Sequence, residues 1–153
     1  MANTYTQINI HAIFSVKGRG NIITKHFADR LYQYIAGIIN STNNYSLAVN
    51  GHKDHIHVFF ELNPANSLSD IIRDIKANSS KWINENKLVL GHFNWQEGYG
   101  AFSYSRSQRD TVIKYIRNQE KHHATKAFKE EYLELLKKFE IPFDDHYIFE
   151  FYD

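Results

Sequence analysis

The chain has 153 residues, of which 42% are hydrophobic and 23% charged, and this suits one compact domain with a buried core. It contains no cysteine, which excludes disulfides and thiolate metal sites, and no stretch approaches the ~18 apolar residues of a membrane span. The formal net charge of +1 does not by itself indicate a nucleic-acid partner, since strong binders carry a basic excess. Residues 1–10 lack the apolar run of a signal peptide, so we expect a cytoplasmic protein.

Hydrophobic patterning predicts four strands and two helices in the first two thirds of the chain. In chain order they are a strand at 5–16, a helix from Thr24 to about 39, strands at 45–50 and 55–62, a helix at 68–86 capped by Ser67 or Ser69, and a strand at 101–105. This order is that of the split βαβ arrangement. We therefore expect an α+β, ferredoxin-like antiparallel sheet, with helices on one face and the other face free for chemistry or a ligand.

The last third of the chain is predicted to be mainly helical. One helix is expected at 108–122 and a charged one at 125–139, followed by an edge strand at 147–152. The mixed charges of the second helix indicate a solvent-exposed face. We expect a single domain over residues 1–153, with its core at about 1–123 and a C-terminal helix and tail at about 124–153.

Two histidines share one face of the predicted third strand. Side chains in a strand alternate between faces, so His55 and His57 point the same way while Ile56 and Val58 point into the core. Two neighbouring imidazoles can chelate a divalent metal, but a third ligand has to come from another part of the chain. Two surface histidines without any metal role would show the same spacing.

The helix predicted at 108–122 carries a tyrosine and a glutamine at helical spacing. Tyr115 and Gln119 are four residues apart and share one helical face, and His122 lies near the same stripe. A tyrosine hydroxyl can act as a covalent nucleophile, and a glutamine oxygen can ligate a hard cation. A tyrosine on an amphipathic helix is usually a core residue. Combined with the histidine pair, the two side chains form a candidate phosphoryl-transfer site.

The sequence resembles the HUH-type single-tyrosine transposases of the insertion-sequence 200-like kind, which include the REP-associated tyrosine transposases. The resemblance runs from the first strand to His123 and rests on three segments that occur in order. They are His55-Ile56-His57, the segment Asn-Trp-Gln-Glu-Gly-Tyr-Gly-Ala-Phe-Ser-Tyr at 94–104, and the tyrosine helix at 115–119.

This resemblance implies a mechanism and a set of partners. His55, His57 and Gln119 would hold Mg²⁺ or Mn²⁺, which would make a scissile phosphate of single-stranded DNA more electrophilic. Tyr115 would be the catalytic nucleophile and would leave a 5′-phosphotyrosine link and a free 3′-hydroxyl. A nearby cation and Lys114 would favour its ionised form. The substrate would be a hairpin DNA end, and the enzyme a homodimer with its active site completed in trans.

Other residues near the proposed site have less defined roles. Four basic side chains are candidate phosphate contacts or ordinary surface charges: Lys53, Arg106, Arg109 and Lys114. His122 and His123 are interpreted as spare ligands or DNA contacts. Packing is the favoured role of Trp95 and Tyr99. The tail at 141–153 has no role in the family pattern and is expected to pack on the dimer.

Three other functions stay open from the sequence. A four-stranded sheet with exposed aromatic side chains can bind single-stranded nucleic acid without any catalysis. A metal-dependent hydrolase would use the histidines and leave Tyr115 a structural role. A domesticated relative would process host repeats without moving an element.

Overall fold

The structure, a computed structural model, describes residues 3–152, so that residues 1, 2 and 153 at the ends of the predicted domain lie outside it. Within this range the chain forms four strands and five α-helices, with a short 3₁₀ turn before the third helix. The strands are β1 (Asn9–Ser15), β2 (Tyr45–Gly51), β3 (His55–Glu61) and β4 (Gly100–Tyr104); the helices are α1 (Lys25–Ser41), α2 (Leu68–Glu85), α3 (Arg109–Arg117), α4 (Gln119–His123) and α5 (Phe128–Lys138).

The four strands form one sheet in the order β2-β3-β1-β4, and every neighbouring pair is antiparallel. With α1 and α2 as the two crossovers, this is the predicted ferredoxin-like arrangement, and the α+β fold class is confirmed. Pairing of β1 with β3 places Ile13 opposite His57 and Ser15 opposite His55. The central strands therefore fix the positions of both histidines.

Helices α1 and α2 cover one face of the sheet. The side chains of Ile56, Val58 and Phe60 are completely buried and join a core that includes the apolar stripe of α1. Its buried members recur at helical spacing and are Phe27, Leu31, Ile35 and Ile39. Each such side chain stabilises the fold by about 1.5–3 kcal/mol on burial. Ser67 caps α2, as predicted, by accepting a hydrogen bond of 3.0 Å from the Asp70 amide.

The second face is also covered, so the expectation that helices would leave it free is corrected. Val112 and Ile116 of α3 pack on Phe59, and the ring of Phe128 from α5 stacks on that of His55 with centroids 3.8 Å apart. The physical reason is visible in β3, where residues 55–60 are buried without interruption. A strand buried on both faces has a helix or sheet on each side.

The helix predicted at 108–122 is interrupted. It ends at Arg117, and Asn118 separates α3 from α4. Asn50 of β2 donates hydrogen bonds of 2.9 and 3.1 Å to the carbonyl groups of Ile116 and Arg117. These bonds satisfy two backbone acceptors that have no partner within the helix at the C-terminal end of α3. Gln119 therefore begins a new helix and does not continue the turn that carries Tyr115.

The predicted edge strand at 147–152 is wrong, because no strand is assigned to these residues. The Gln96 side chain donates a 2.8 Å hydrogen bond to the Glu150 carbonyl group and accepts one of 2.7 Å from the Glu150 amide. These backbone groups would pair with a neighbouring strand in a sheet. Phe149 is buried and packs against Phe128 and Tyr132 of α5. The tail thus anchors α5.

Two further expectations concern packing and membranes. Trp95 is buried, as expected, and its indole N–H donates a 2.9 Å hydrogen bond to Ser79 Oγ, whereas Tyr99 is about one-third exposed. Among residues 3–152, none of the helices combines the length and the apolar character that a membrane crossing requires.

Candidate active site

The two histidines of β3 lie on the same face of the sheet and have no exposed surface. His55 Nδ1 donates to Asp54 Oδ1 at 2.8 Å, and His57 Nδ1 shares a 2.7 Å hydrogen bond with His11 Nε2. Because each Nδ1 atom has a partner, both Nε2 atoms are left facing a common centre. Partners of this kind orient metal-binding imidazoles in proteins. Sequence analysis missed His11, which lies on β1.

Gln119 reaches this centre in spite of the break at Asn118. It is fully buried, and its Oε1 atom lies 3.2 Å from His55 Nε2 and 2.9 Å from His123 Nε2. The three side chains that the resemblance assigned to a metal therefore lie together.

Glu131 of α5 occupies the middle of the cluster. One carboxylate oxygen, Oε1, lies 3.1 Å from His123 Nε2, 3.2 Å from His57 Nε2 and 3.5 Å from His55 Nε2. The other, Oε2, accepts hydrogen bonds from Gln119 Nε2 at 3.1 Å and from the Tyr115 hydroxyl. The expectation of a solvent-exposed face on this helix is therefore wrong at Glu131, which is 2% exposed.

A signal for Glu131 exists in the sequence. The buried side chains of α5 recur at helical spacing, and Glu131 lies on the same stripe as Phe128, Tyr132 and Leu136. An acidic residue on an apolar stripe is rarely fully buried without a partner. What the sequence does not supply is the identity of that partner.

Burial and charge act against each other in this cluster. Burial alone would lower the pKa of His55, but its hydrogen bonds to Asp54 and Glu131 raise the pKa to about 9. Burial alone would raise the pKa of Glu131, and the surrounding imidazoles, that of His57 first, hold it well below its usual range. The pKa of His57 falls to about 4, chiefly because the ring is buried. Hydrogen bonding and charge therefore outweigh burial at His55 and Glu131, whereas burial prevails at His57.

The environment of Tyr115 differs from the one expected. Burial raises the pKa of its phenol, and the nearby Glu131 carboxylate raises it further. Lys114 is exposed at the surface. Burial and the carboxylate therefore favour the protonated phenol, and the exposed Lys114 does not offset them.

The donor set fits a divalent ion. Nitrogen and oxygen atoms of His55, His57, His123 and Glu131 all lie within 4.8 Å of one another. Ligands about 2.1 Å from one ion are roughly 3.0 Å apart when they are neighbours in an octahedron. The separations around Glu131 Oε1 and Gln119 Oε1 span 2.9 to 3.5 Å. The cluster is therefore a group that could hold a metal ion.

The four basic candidates for phosphate contacts differ in whether their side chains are engaged within the protein. Lys53, Arg106 and Lys114 are exposed. Arg109 is engaged within the protein, since it donates bonds of 2.9 Å to Asn9 Oδ1 and to Glu61 Oε2. An arginine held in this way positions the start of α3 on the sheet.

Comparison with known proteins places the chain in a family. Residues 4–119, well over half of the chain, match the family model described as "Transposase IS200 like". The ISDra2 transposase TnpA of Deinococcus radiodurans is 24% identical over 119 residues, which cover 74% of this chain and 84% of that protein.

Two solved structures share the fold. A crystal structure of a proposed transposase from Deinococcus radiodurans R1 has a TM-score of 0.61 at 19% identity, over 78% of this chain and 95% of that one. The structure of a REP-associated tyrosine transposase bound to a REP hairpin has a TM-score of 0.59 at 14% identity, over 80% of this chain and 73% of that one. With the family match over residues 4–119, the conclusion is that this chain belongs to the IS200-like transposase family.

Proposed function

We propose that the protein cleaves and rejoins single-stranded DNA through a 5′-phosphotyrosine intermediate at Tyr115, with Mg²⁺ or Mn²⁺ held by His55, His57 and Gln119. The observation that carries this proposal is the convergence of these four side chains. The rings of Tyr115 and His57 have centroids 5.8 Å apart, and Gln119 Oε1 lies 3.2 Å from His55 Nε2. Membership of a transposase family supports the same chemistry.

The reaction would proceed in two balanced steps. In the first, the Tyr115 oxygen bonds to phosphorus while the bond from phosphorus to the 3′ oxygen breaks. The phenolic proton leaves by way of the Glu131 carboxylate that it already contacts and passes to solvent, and the released 3′ oxygen takes up one proton from solvent. In the second step the 3′-hydroxyl of another strand bonds to phosphorus and gives up its proton, while the bond from phosphorus to the Tyr115 oxygen breaks and that oxygen takes up one proton. The bond energy is kept in the covalent link, so no nucleotide cofactor is needed.

The ion, when bound, would polarise the scissile phosphate and stabilise the charge that develops on its oxygens. The chain's own residues would position the nucleophile. Tyr115 and Glu131 line a cavity of about 400 Å³ between α3 and α5, which offers a path to the tyrosine from outside. Of the basic candidates, Lys53, Arg106 and Lys114 are free to contact phosphates, whereas Arg109 already has protein partners.

A hairpin end is the proposed form of the DNA, since the REP-associated relative is bound to a REP hairpin. The homodimer also remains a proposal. One chain already brings Tyr115 to within 5.8 Å of its own His57, measured between ring centroids, and this favours cleavage in cis over completion of the site in trans. Light scattering that gives twice the 18.0 kDa chain mass would support the dimer.

The experiment that tests the function uses labelled single-stranded DNA from the flanks of the protein's own gene, incubated with Mn²⁺ and run on a denaturing gel. Wild-type protein should give a covalent adduct and a shortened strand. Tyr115→Phe keeps the ring and removes only the oxygen, so it should bind DNA and form no adduct. Tyr104→Phe is the matched control, because Tyr104 lines the same cavity on β4.

The outcomes separate the competing functions. Cleavage by Tyr115→Phe at the wild-type rate would refute the proposal and leave a metal-dependent hydrolase. Binding without cleavage by the wild type, with either ion present, would leave a nucleic-acid-binding protein. Loss of the adduct in Tyr104→Phe alone would assign the nucleophile to Tyr104.

A further inference from the structure

The centre of the cluster is lined by nitrogen and oxygen atoms that can act as metal ligands. The Asp54 carboxylate and the Lys126 carbonyl can only accept, so His55 Nδ1 and His123 Nδ1 must carry the protons of their rings. In the neutral form in which imidazoles bind metals, their Nε2 atoms then present lone pairs. Both lone pairs face oxygen atoms, since Gln119 Oε1 lies 3.2 Å from His55 Nε2 and 2.9 Å from His123 Nε2.

The orientation of Gln119 is set by the same carboxylate. Its Nε2 group donates to Glu131 Oε2 at 3.1 Å, which leaves Oε1 as an acceptor that faces the histidines. Glu131 Oε1 is a further acceptor at 3.1 Å from His123 Nε2. Protons on the imidazole rings can satisfy these converging acceptors, and a divalent ion bound at the centre would replace them, because metal binding releases the protons of its ligands. The convergence of nitrogen and oxygen atoms on one centre indicates a ligand cage.

We propose that Glu131 is itself a ligand of the divalent ion, and that α5 thereby completes a site that the strands and α4 begin. This inference rests on the proposed function and goes beyond its ligand set. Glu131 and His123 both lie after residue 119, where the family match ends. The two histidines of β3 and Gln119 are uncharged ligands, and the carboxylate supplies the one negative charge that a hard divalent cation prefers.

The two oxygens of the Glu131 carboxylate face different partners. Oε1 faces the three imidazole Nε2 atoms at 3.1 to 3.5 Å, a spacing typical of ligands of one ion. Oε2 faces Tyr115 and Gln119. The Glu131 side chain therefore links the ion to the nucleophile. The position of α5 thus affects both the geometry of the ion site and that of Tyr115.

The test is the affinity for Mn²⁺ alone, measured by titration calorimetry and by the electron paramagnetic resonance signal of free Mn²⁺. Glu131→Gln keeps the shape and removes the charge, and it should weaken binding at least about tenfold, since even outer-shell changes cost 10–100-fold. Glu130→Gln is the matched control, because Glu130 is the exposed neighbour on the same helix. Unchanged affinity in Glu131→Gln would overturn the inference.

Two further measurements make the result decisive. His57→Ala tests the metal part of the proposed function: if it loses Mn²⁺ while Glu131→Gln does not, only the inference about Glu131 fails. If both bind as the wild type does, the metal site itself is wrong. Should Glu131→Gln not fold, wild-type crystals grown with Mn²⁺ decide the question. A carboxylate oxygen about 2.2 Å from the ion would support the inference, and one beyond hydrogen-bond distance would refute it.

Discussion

His11 supports the site without facing its centre. Its Nε2 atom holds His57 Nδ1 at 2.7 Å and the two rings stack with centroids 5.0 Å apart, while His11 Nδ1 has no hydrogen-bond partner among residues 3–152. The His-x-His spacing and the four-residue step to Gln119 are local, so they were predictable from the sequence. His11 and Glu131 depend on the register of β1 and on the docking of α5, and no local pattern encodes either.

Replacement of His11 tests its orienting role. His11→Ala should lower the affinity for Mn²⁺ by roughly ten- to hundredfold, because His57 loses the partner that fixes its ring. The measurement is a Mn²⁺ titration, accompanied by a thermal melt that confirms folding. His26→Ala removes an exposed histidine of α1 and should leave the affinity unchanged. Equal affinities in the two variants would contradict an orienting role.

Helix α5 is the element that the sequence described least well. Its existence followed from periodicity, but its mixed charges hid the buried stripe that turns towards the sheet. It packs closely on β4, where a Cβ atom added to Gly100 would lie 2.5 Å from the Tyr132 hydroxyl and 2.7 Å from its ring. Glycine at this position therefore allows the close approach of helix and strand.

Gly100→Ala should push α5 away from β4 and destabilise the fold by about 1–3 kcal/mol, the usual cost of overpacking. Denaturant unfolding measures this change. Gly20→Ala is the control, since a Cβ atom there would meet nothing within 4 Å. If Glu131 is positioned by α5, Gly100→Ala should also weaken Mn²⁺ binding. An unchanged unfolding midpoint would show that Tyr132 moves aside freely.

At the scale of the whole molecule, the order of elements was predictable and the coverage of the sheet was not. The βαββαβ order follows from patterns within short segments, whereas the covering of the second face depends on where α3, α5 and the tail dock. Charge was also informative: a formal net charge of +1 indicates that any DNA affinity depends on a few local contacts.

Lys114 provides a test of those contacts. Lys114→Ala should weaken the binding of single-stranded DNA and reduce the slope of log K against log salt by about 0.7, the value for one phosphate contact on a single strand. Fluorescence anisotropy at several salt concentrations measures both quantities. Lys81→Ala removes an exposed lysine of α2, on the opposite face of the sheet, and should leave the slope as it is. Identical slopes for both variants would show that Lys114 does not contact the DNA.

The complete burial of the ligand cluster has a kinetic consequence. Side chains of His55, His57 and Gln119 have no exposed surface, and the ring of Phe128 lies over His55. The cavity that is lined by Tyr115 and Glu131 does not extend to these three side chains, so we expect an ion to reach them only when the protein opens locally, and such openings have their own rate. We therefore expect the rate of Mn²⁺ uptake in a stopped-flow experiment to level off as Mn²⁺ is raised, whereas an open site would show a linear rise. Ions acquired during purification would leave equally slowly, so preparations should be stripped with a chelator under conditions that loosen α5.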